Sequence, residues 1–281
     1  MAQLISFYSP LPSQGKRTLS MAFANLLAQN EHKVLYVELD LNAPAVALAT
    51  QISHEARNVV EYLKTAHETD LFQPNSYILK HQHLLASDKR KYQQYPENLD
   101  FLTIPKYFDY SKFPIIADGE SESAEEVAFK FIQKLTYEMA ATTYDYVIFN
   151  LPNEINDLFG YEMLRHSDLI LNIVTPSPFN MSKYLDVKEF LEKSLKEVLE
   201  KSLTIVNMAS LEIDQKNYKE VFQENDLVLV PYDLQRQLAD FSLQLETQGI
   251  TQSLEFLASK ISIPLPVSTA ANKPKGLFKV R

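Results

Sequence analysis

Ser-Pro-Leu-Pro-Ser-Gln-Gly-Lys-Arg-Thr, residues 9–18, follows the apolar run Leu4-Ile5-Ser6-Phe7-Tyr8 and precedes a helical pattern that begins near Arg17. A strand, a turn with glycine and lysine, and then a helix is the order in which phosphate-binding loops are built. Gly15 permits the turn, and Lys16 stands where the lysine of such a loop reaches the phosphates. Arg17 stands where a Ser or Thr hydroxyl would bind magnesium. The stretch therefore predicts a phosphate-binding loop that lacks one metal ligand.

The composition excludes several classes of function. The chain has 281 residues, of which 27 are basic and 36 acidic, giving a formal net charge of −9. An acidic balance argues against sequence-independent DNA binding, so nucleic acid is not expected as a partner. The absence of cysteine excludes disulfides and thiolate sites. The close pair His81 and His83 lacks carboxylates at metal spacing, so no metal site is predicted there. No leader or spanning segment is visible, and we expect a cytoplasmic protein.

Short apolar runs alternate with helical patterns along most of the chain. Such runs are typical of strands that are buried on both faces. The alternation predicts an α/β fold, a mostly parallel twisted sheet with helices on both faces and ligands at the carboxyl ends of its strands. The predicted strands are 3–8, 34–39, 99–104, 145–151, 168–174, 203–207 and 227–231. The predicted helices lie near 17–29, 56–66, 123–141, 181–200 and 236–260.

The sequence indicates one domain, residues 1–263, followed by a flexible basic tail, residues 264–281. The tail ends in Lys273-Pro274-Lys275-Gly276-Leu277-Phe278-Lys279-Val280-Arg281. Two readings of Lys273–Arg281 stay open, a weak membrane contact through its apolar and basic side chains or a disordered end. Residues 105–126 are rich in acidic side chains and predict an exposed loop that leads into a helix.

Four segments, in this order, resemble the MinD/ParA family of P-loop ATPases, which carries a modified phosphate loop. Together they span residues 3 to about 260, and four matches at these spacings imply the family's fold. They are the loop with Asn25-Leu26-Leu27-Ala28, the run Val34-Leu35-Tyr36-Val37-Glu38-Leu39-Asp40-Leu41-Asn42, the Walker B-like strand Tyr144-Asp145-Tyr146-Val147-Ile148-Phe149-Asn150-Leu151-Pro152, and Leu203-Thr204-Ile205-Val206-Asn207-Met208 with Val230-Pro231-Tyr232-Asp233.

The resemblance implies a set of site residues. Asp40 matches the aspartate that helps to position the attacking water, so it is the candidate catalytic residue if the protein is active. Asn150 stands at the Walker B position, where the family has aspartate. Asn207 is a candidate for recognising the adenine base. The residues implied to bind nucleotide are Ser13, Gln14, Gly15, Lys16, Arg17, Thr18, Asn207, Pro231 and Asp233.

The departures from the family concern the metal ion and the dimer. Arg17 and Asn150 both weaken the same magnesium site, so ATP or ADP is the expected ligand and magnesium is in doubt. Arg17 either neutralises phosphate charge itself, which would permit metal-free binding, or forms a local salt bridge. Leu11 replaces the family's signature lysine, which reaches across a dimer. A homodimer, if formed, would lack that contact.

The resemblance favours a pseudo-ATPase, inactive or very slow, that acts as a positioning or assembly factor for a larger machine. Pilus- and secretion-associated relatives are the nearest analogy, and the implied partners are proteins of pilus, secretion, division or envelope machinery. One alternative is a genuine weak ATPase that recovers its metal through Thr18, Glu38 and Asp40. Another is a nucleotide-independent interaction scaffold. A location peripheral to the membrane also stays open.

Overall fold

The fold is built on one parallel sheet. The structure, a computed structural model, describes residues 1–44, 46–84, 95–109, 124–236 and 248–265. Within these ranges, seven strands pair in the order β3-β2-β4-β1-β5-β6-β7, and every pairing is parallel. The strands are β1 Gln3–Tyr8, β2 Val34–Glu38, β3 Leu99–Leu102, β4 Tyr146–Asn150, β5 Leu169–Val174, β6 Ser202–Ala209 and β7 Leu227–Pro231. The predicted α/β fold class is confirmed, and each strand overlaps its predicted run.

Helices connect the strands. They are α1 Lys16–Gln29, α2 Val46–Thr50, α3 Val59–Thr69, α4 Ala124–Ala140, α5 Tyr161–His166, α6 Pro178–Ser194, α7 Lys196–Glu200, α8 Gln215–Phe222 and α9 Gln248–Lys260. Two 3₁₀ turns, Pro74–Ser76 and His81–His83, precede β3. Of these helices, α2, α5 and α8 have no counterpart among the predicted ones. Each has eight residues or fewer, which is too short for a clear helical period.

Alternate side chains of each strand enter two different hydrophobic clusters. Ile5 and Phe7 of β1 belong to the cluster that contains the apolar face of α1. Leu4 and Tyr8 belong to the cluster on the other face, with side chains from α3, α4 and α7. This alternation follows from the two-residue period of a strand. The sheet is therefore buried on both faces, as the continuous apolar runs predicted.

Two helix boundaries differ from the sequence prediction for identifiable reasons. The predicted start near residue 56 moves to Val59 because the Asn58 side chain caps α3, accepting a hydrogen bond from the Glu61 N–H at 2.9 Å. The single helix predicted over 181–200 is two helices. The first of them, α6, begins earlier than predicted because the Ser177 side chain caps its first turn. Leu195 separates α6 from α7, since its backbone is not helical and its side chain is buried.

Some predictions fall on residues outside the described ranges. These are residues 110–123 of the acidic stretch, residues 237–247 of the last predicted helix, and residues 266–281 of the tail. The division into a domain and a tail therefore stays a prediction. Among the residues that are described, no helix is both long and apolar enough to cross a bilayer.

Candidate functional site

The carboxyl ends of the central strands bring most of the predicted site residues to one edge of the sheet. The loop of residues 9–15 leaves β1, and Asp40 follows β2. Asn150 ends β4, paired in register with Phe7 on one side and Glu38 on the other. Asn207 lies near the end of β6. Parallel strands that end together form the edge at which open α/β sheets bind ligands.

The loop presents unused hydrogen-bond donors at the start of a long helix. Gly15 precedes α1 in the left-handed region, with φ 85°, and the helix runs for 14 residues. The backbone N–H groups of Ser13 to Thr18 donate to no acceptor in the described part of the chain. The first turn of α1 contains no acidic side chain that would compete for them. These groups, with the positive end of the helix dipole, are suited to an anion.

Two amide side chains hold the loop in place. The Gln14 Oε1 atom accepts hydrogen bonds from the backbone N–H and the hydroxyl of Thr175, at 2.9 and 2.7 Å. The Asn207 Nδ2 atom donates to the Gln14 carbonyl at 2.8 Å. A Cβ atom on Gly15 would overlap the same Asn207 amide. Asn207 therefore contacts the loop backbone directly, a role that the sequence did not predict beside the suggested reading of adenine.

Lys16 is buried and surrounded by oxygen atoms. Its ammonium group donates to Asp40 Oδ2 at 3.2 Å, to Asn153 Oδ1 at 2.9 Å, and to the carbonyl of Leu151. Burial lowers the pKa of Lys16, while the charge and hydrogen bond of Asp40 act to raise it, followed by the charges of Asp157 and Glu38. The lysine thus links α1 to the segments that follow β2 and β4.

The segment after β4 supplies site residues that the sequence analysis missed. Asn153 contacts Lys16, and Asp157 accepts hydrogen bonds from Asn42 Nδ2 at 3.0 Å and from the Phe159 N–H at 3.2 Å. Burial raises the pKa of Asp157, and the Asp40 and Glu154 charges raise it further. The available signal was the polar cluster Asn153–Asp157 directly behind a buried strand, at the edge of the sheet where ligands bind.

Glu38 has a structural role. It is fully buried, and its Oε1 atom accepts from the Val46 N–H while its Oε2 atom accepts from the Ile104 N–H, both at 3.0 Å. Both carboxylate oxygens are thereby engaged by the start of α2 and the segment after β3. This geometry disfavours the suggestion that Glu38 helps to recover a metal ion.

Asn150 and Arg17 are less engaged than their neighbours. Asn150 is buried, and its Oδ1 atom has no hydrogen-bond partner in the structure. Arg17 is half-buried, and with the described residues it forms neither an ion pair nor a side-chain hydrogen bond. The local salt bridge that the sequence left open for Arg17 is therefore absent from this part of the chain.

The other predicted site residues lie further out. Leu11 and Thr18 are half-buried, while Ser13 is exposed with a positive φ of 61°. Pro231 ends β7, three strands from β1 in the sheet, and Asp233 forms a turn by accepting from the Gln235 N–H at 2.8 Å. Their assignment to the nucleotide site remains a prediction.

The residues suit phosphate groups, and they lack two of the side chains that usually hold magnesium in such loops. Free N–H groups, Gly15 and Lys16 are the parts that bind phosphates in such loops. Magnesium instead needs oxygen ligands in a nearly ideal octahedron. The hydroxyl position is occupied by Arg17, and both carboxylate oxygens of Glu38 are engaged with backbone N–H groups, so protein groups that would hold the ion beside phosphates and waters are missing or occupied.

Structural comparison identifies the fold. A ParA family ATPase from Chlorobium tepidum matches with a TM-score of 0.66 and 18% identity, over 92% of this chain and 99% of its own. MinD from Pyrococcus horikoshii, complexed with Mg-ADP, matches with a TM-score of 0.64 and 16% identity, over 94% of this chain and 98% of its own. A McdA variant from Cyanothece in complex with ATP matches with a TM-score of 0.69 and 13% identity, over 94% of this chain and 97% of its own. No family model matches the sequence, and no curated protein does.

These similarities define the class of fold. The chain has the fold of the MinD/ParA P-loop ATPases, over nearly its whole length and nearly the whole of each structure that it resembles. The resemblance suggested by the four sequence segments is confirmed at the level of the fold. At identities below 20%, the similarity does not extend to activity.

Proposed function

We propose that this protein binds ATP or ADP at the loop of residues 9–18 and acts as a positioning factor, with very slow or no hydrolysis. The observation that carries the proposal is the set of N–H groups from Ser13 to Thr18 without described acceptors, adjacent to Lys16, in a fold whose solved examples include complexes with Mg-ADP and with ATP. The backbone would hold the phosphates, and Lys16 would add the charge-assisted contact.

Slow turnover follows from the chemistry of the metal-binding side chains. Phosphoryl transfer depends on positioning and on neutralising charge, for which P-loop enzymes use magnesium held by the loop hydroxyl and a Walker B aspartate. Here those two positions hold Arg17 and Asn150. Asp40, the candidate catalytic residue, is engaged with Lys16 and with the Ala43 N–H at 3.1 Å. A weak ATPase is the alternative, and magnesium-dependent phosphate release would distinguish it.

The positioning role is supported by the class of fold. The structures that it resembles include MinD in complex with MinC and the ATPase McdA, as well as proteins of plasmid partition. By analogy, the partners would be proteins of a localised pilus, secretion, division or envelope assembly, and the working form could be a homodimer. In its own cells, a fluorescent fusion should form localised foci that Lys16→Met disperses, whereas unchanged foci would argue for nucleotide-independent positioning.

The direct test is calorimetric titration with ADP and ATP. Lys16→Met should weaken binding by about tenfold or more, because a charge-assisted phosphate contact is lost. Lys193→Met is the matched control, since Lys193 is an exposed lysine that pairs with Glu189 on α6. Saturable binding by the wild type, weakened only in the first variant, supports the proposal.

A nucleotide-independent scaffold is the second candidate. It is favoured by one observation, that three acceptors within the protein already satisfy the Lys16 ammonium group. In that case neither nucleotide would bind, and Lys16→Met would reduce stability alone. Absence of heat and of any nucleotide-induced rise in melting temperature would decide for the scaffold.

A further inference from the structure

We infer that nucleotide binding at this loop does not require magnesium and that Arg17 supplies the positive charge that the ion would otherwise provide. The inference rests on the proposed function and specifies the form of ligand that the site accepts, namely the metal-free nucleoside di- or triphosphate. It also makes Arg17 a residue that determines specificity.

The first step concerns the surroundings of Arg17. Arg17 directly follows Lys16 in the first turn of α1 and is half-buried, yet its guanidinium group pairs with no described residue. Its charge acts on the buried phenol of Tyr36, as do the charges of Glu38 and Asp40. The Ser20 hydroxyl, which donates to the Arg17 carbonyl, lies 3.0 Å from the Tyr36 hydroxyl of β2, and Lys16 reaches Asp40 after β2. The first turn of α1 therefore lies beside the carboxyl end of β2.

The second step concerns those residues. Each carboxylate oxygen of Glu38 already accepts a backbone N–H, and both oxygens of Asp40 are engaged, one with Lys16 and one with the Ala43 N–H. Asn150 offers an uncharged amide in place of a carboxylate. A divalent cation at this position would thus find few free anionic ligands. The positive charge of the Arg17 guanidinium group would also repel it.

The third step is the chemistry of the guanidinium group. Arginine remains protonated at all relevant pH values and presents five N–H donors in a planar arrangement that matches phosphate oxygens. A half-buried guanidinium beside the start of a helix and a loop lysine can offset the charge of a polyphosphate without an ion. Among the described residues, no side chain pairs with the Arg17 guanidinium group.

The test is titration of the full chain with ADP and with ATP, each in excess magnesium and in excess EDTA. We expect binding in EDTA with an affinity within about threefold of that in magnesium, a difference of less than 1 kcal/mol. Arg17→Gln should weaken binding in EDTA by about tenfold or more, and Arg17→Lys by less, because a point charge remains. Lys216→Gln, on an exposed lysine of α8, is the control for a remote charge. Melting temperatures verify that each variant is folded.

The outcomes separate this inference from the proposed function. Binding that occurs only with magnesium overturns the inference and leaves the proposed function standing. No binding in either condition overturns both. Unchanged affinity in a folded Arg17→Gln variant overturns the role of Arg17. The double variant Arg17→Ser with Asn150→Asp restores the hydroxyl and the carboxylate, and it should acquire magnesium dependence. If it binds equally well in EDTA, the inference is likewise overturned.

Discussion

The two sides of the candidate site use their polar groups differently. On the phosphate side, defined as the backbone of Ser13–Thr18 with the first turn of α1, the N–H groups and Arg17 have no described partner. On the metal side, defined as Glu38, Asp40 and Asn150, both carboxylates are engaged inside the protein. The loop thus presents N–H groups that are suited to an anion, while the carboxylates at the adjacent strand ends support the fold.

The largest expected effect tests the phosphate side. Gly15→Ala forces alanine into the left-handed region and against Asn207, so we expect a loss of about 2–4 kcal/mol in the free energy of unfolding. Nucleotide binding should fall below detection. Gly249→Ala is the control, since an added Cβ there meets nothing closer than Asp233 Oδ2 at 4.0 Å. Denaturant unfolding measures the free energy of unfolding of each variant, and calorimetry measures its nucleotide binding. Equal stability of the two variants would contradict the loop geometry.

Glu38→Gln tests whether the metal side is structural. One oxygen that accepts a backbone N–H becomes an NH₂ group, so the free energy of unfolding should fall by about 1–3 kcal/mol. Nucleotide affinity should stay within about twofold, because both carboxylate oxygens of Glu38 accept backbone N–H groups of Val46 and Ile104, which lie outside the loop. The exposed Glu212→Gln should change neither quantity. A large loss of affinity in stable Glu38→Gln protein would place Glu38 in the binding site and remove the contrast between the two sides.

A smaller effect is expected for Asn207→Ala, which removes the hydrogen bond to the Gln14 carbonyl. Stability should fall by about 1 kcal/mol, and affinity by about threefold as the loop becomes less preorganised. Combined with Gly15→Ala, it should recover the steric part of that variant's loss, since the overlapping amide is gone. Strict additivity in the double-mutant cycle would show that the two residues do not interact.

The smallest effect is expected for Asn150→Leu. The Oδ1 atom of Asn150 is buried without a partner, so replacing the amide by an apolar group of similar size removes a desolvation cost. Stability should be unchanged or rise by up to about 1 kcal/mol, and nucleotide affinity in EDTA should not change. A marked loss of affinity would mean that the amide, like a Walker B carboxylate, serves the ligand, whereas a marked loss of stability would mean that the amide supports the fold.

The strands and the loop could be predicted from the sequence because their signals are local. Continuous apolar runs gave all seven described strands, and the Gly15-Lys16 pair after a strand gave the loop. The role of Glu38 could not be predicted, since one of its donors, the Ile104 N–H, is 66 residues away along the chain. The Leu151 carbonyl at Lys16 was inaccessible for the same reason. Such contacts depend on the path of loops, which residue type does not specify.

The anchoring of Gln14 has a consequence for how the loop communicates with the surface. Gln14 is bonded to Thr175, whose hydroxyl in turn accepts from Asn180 Nδ2 at 2.6 Å, in the first turn of α6. Phe179, beside Asn180, is 63% exposed. A shift of the loop must therefore stretch or carry this chain of hydrogen bonds. We therefore expect a partner that contacts Phe179 to respond to the position of the loop through these hydrogen bonds.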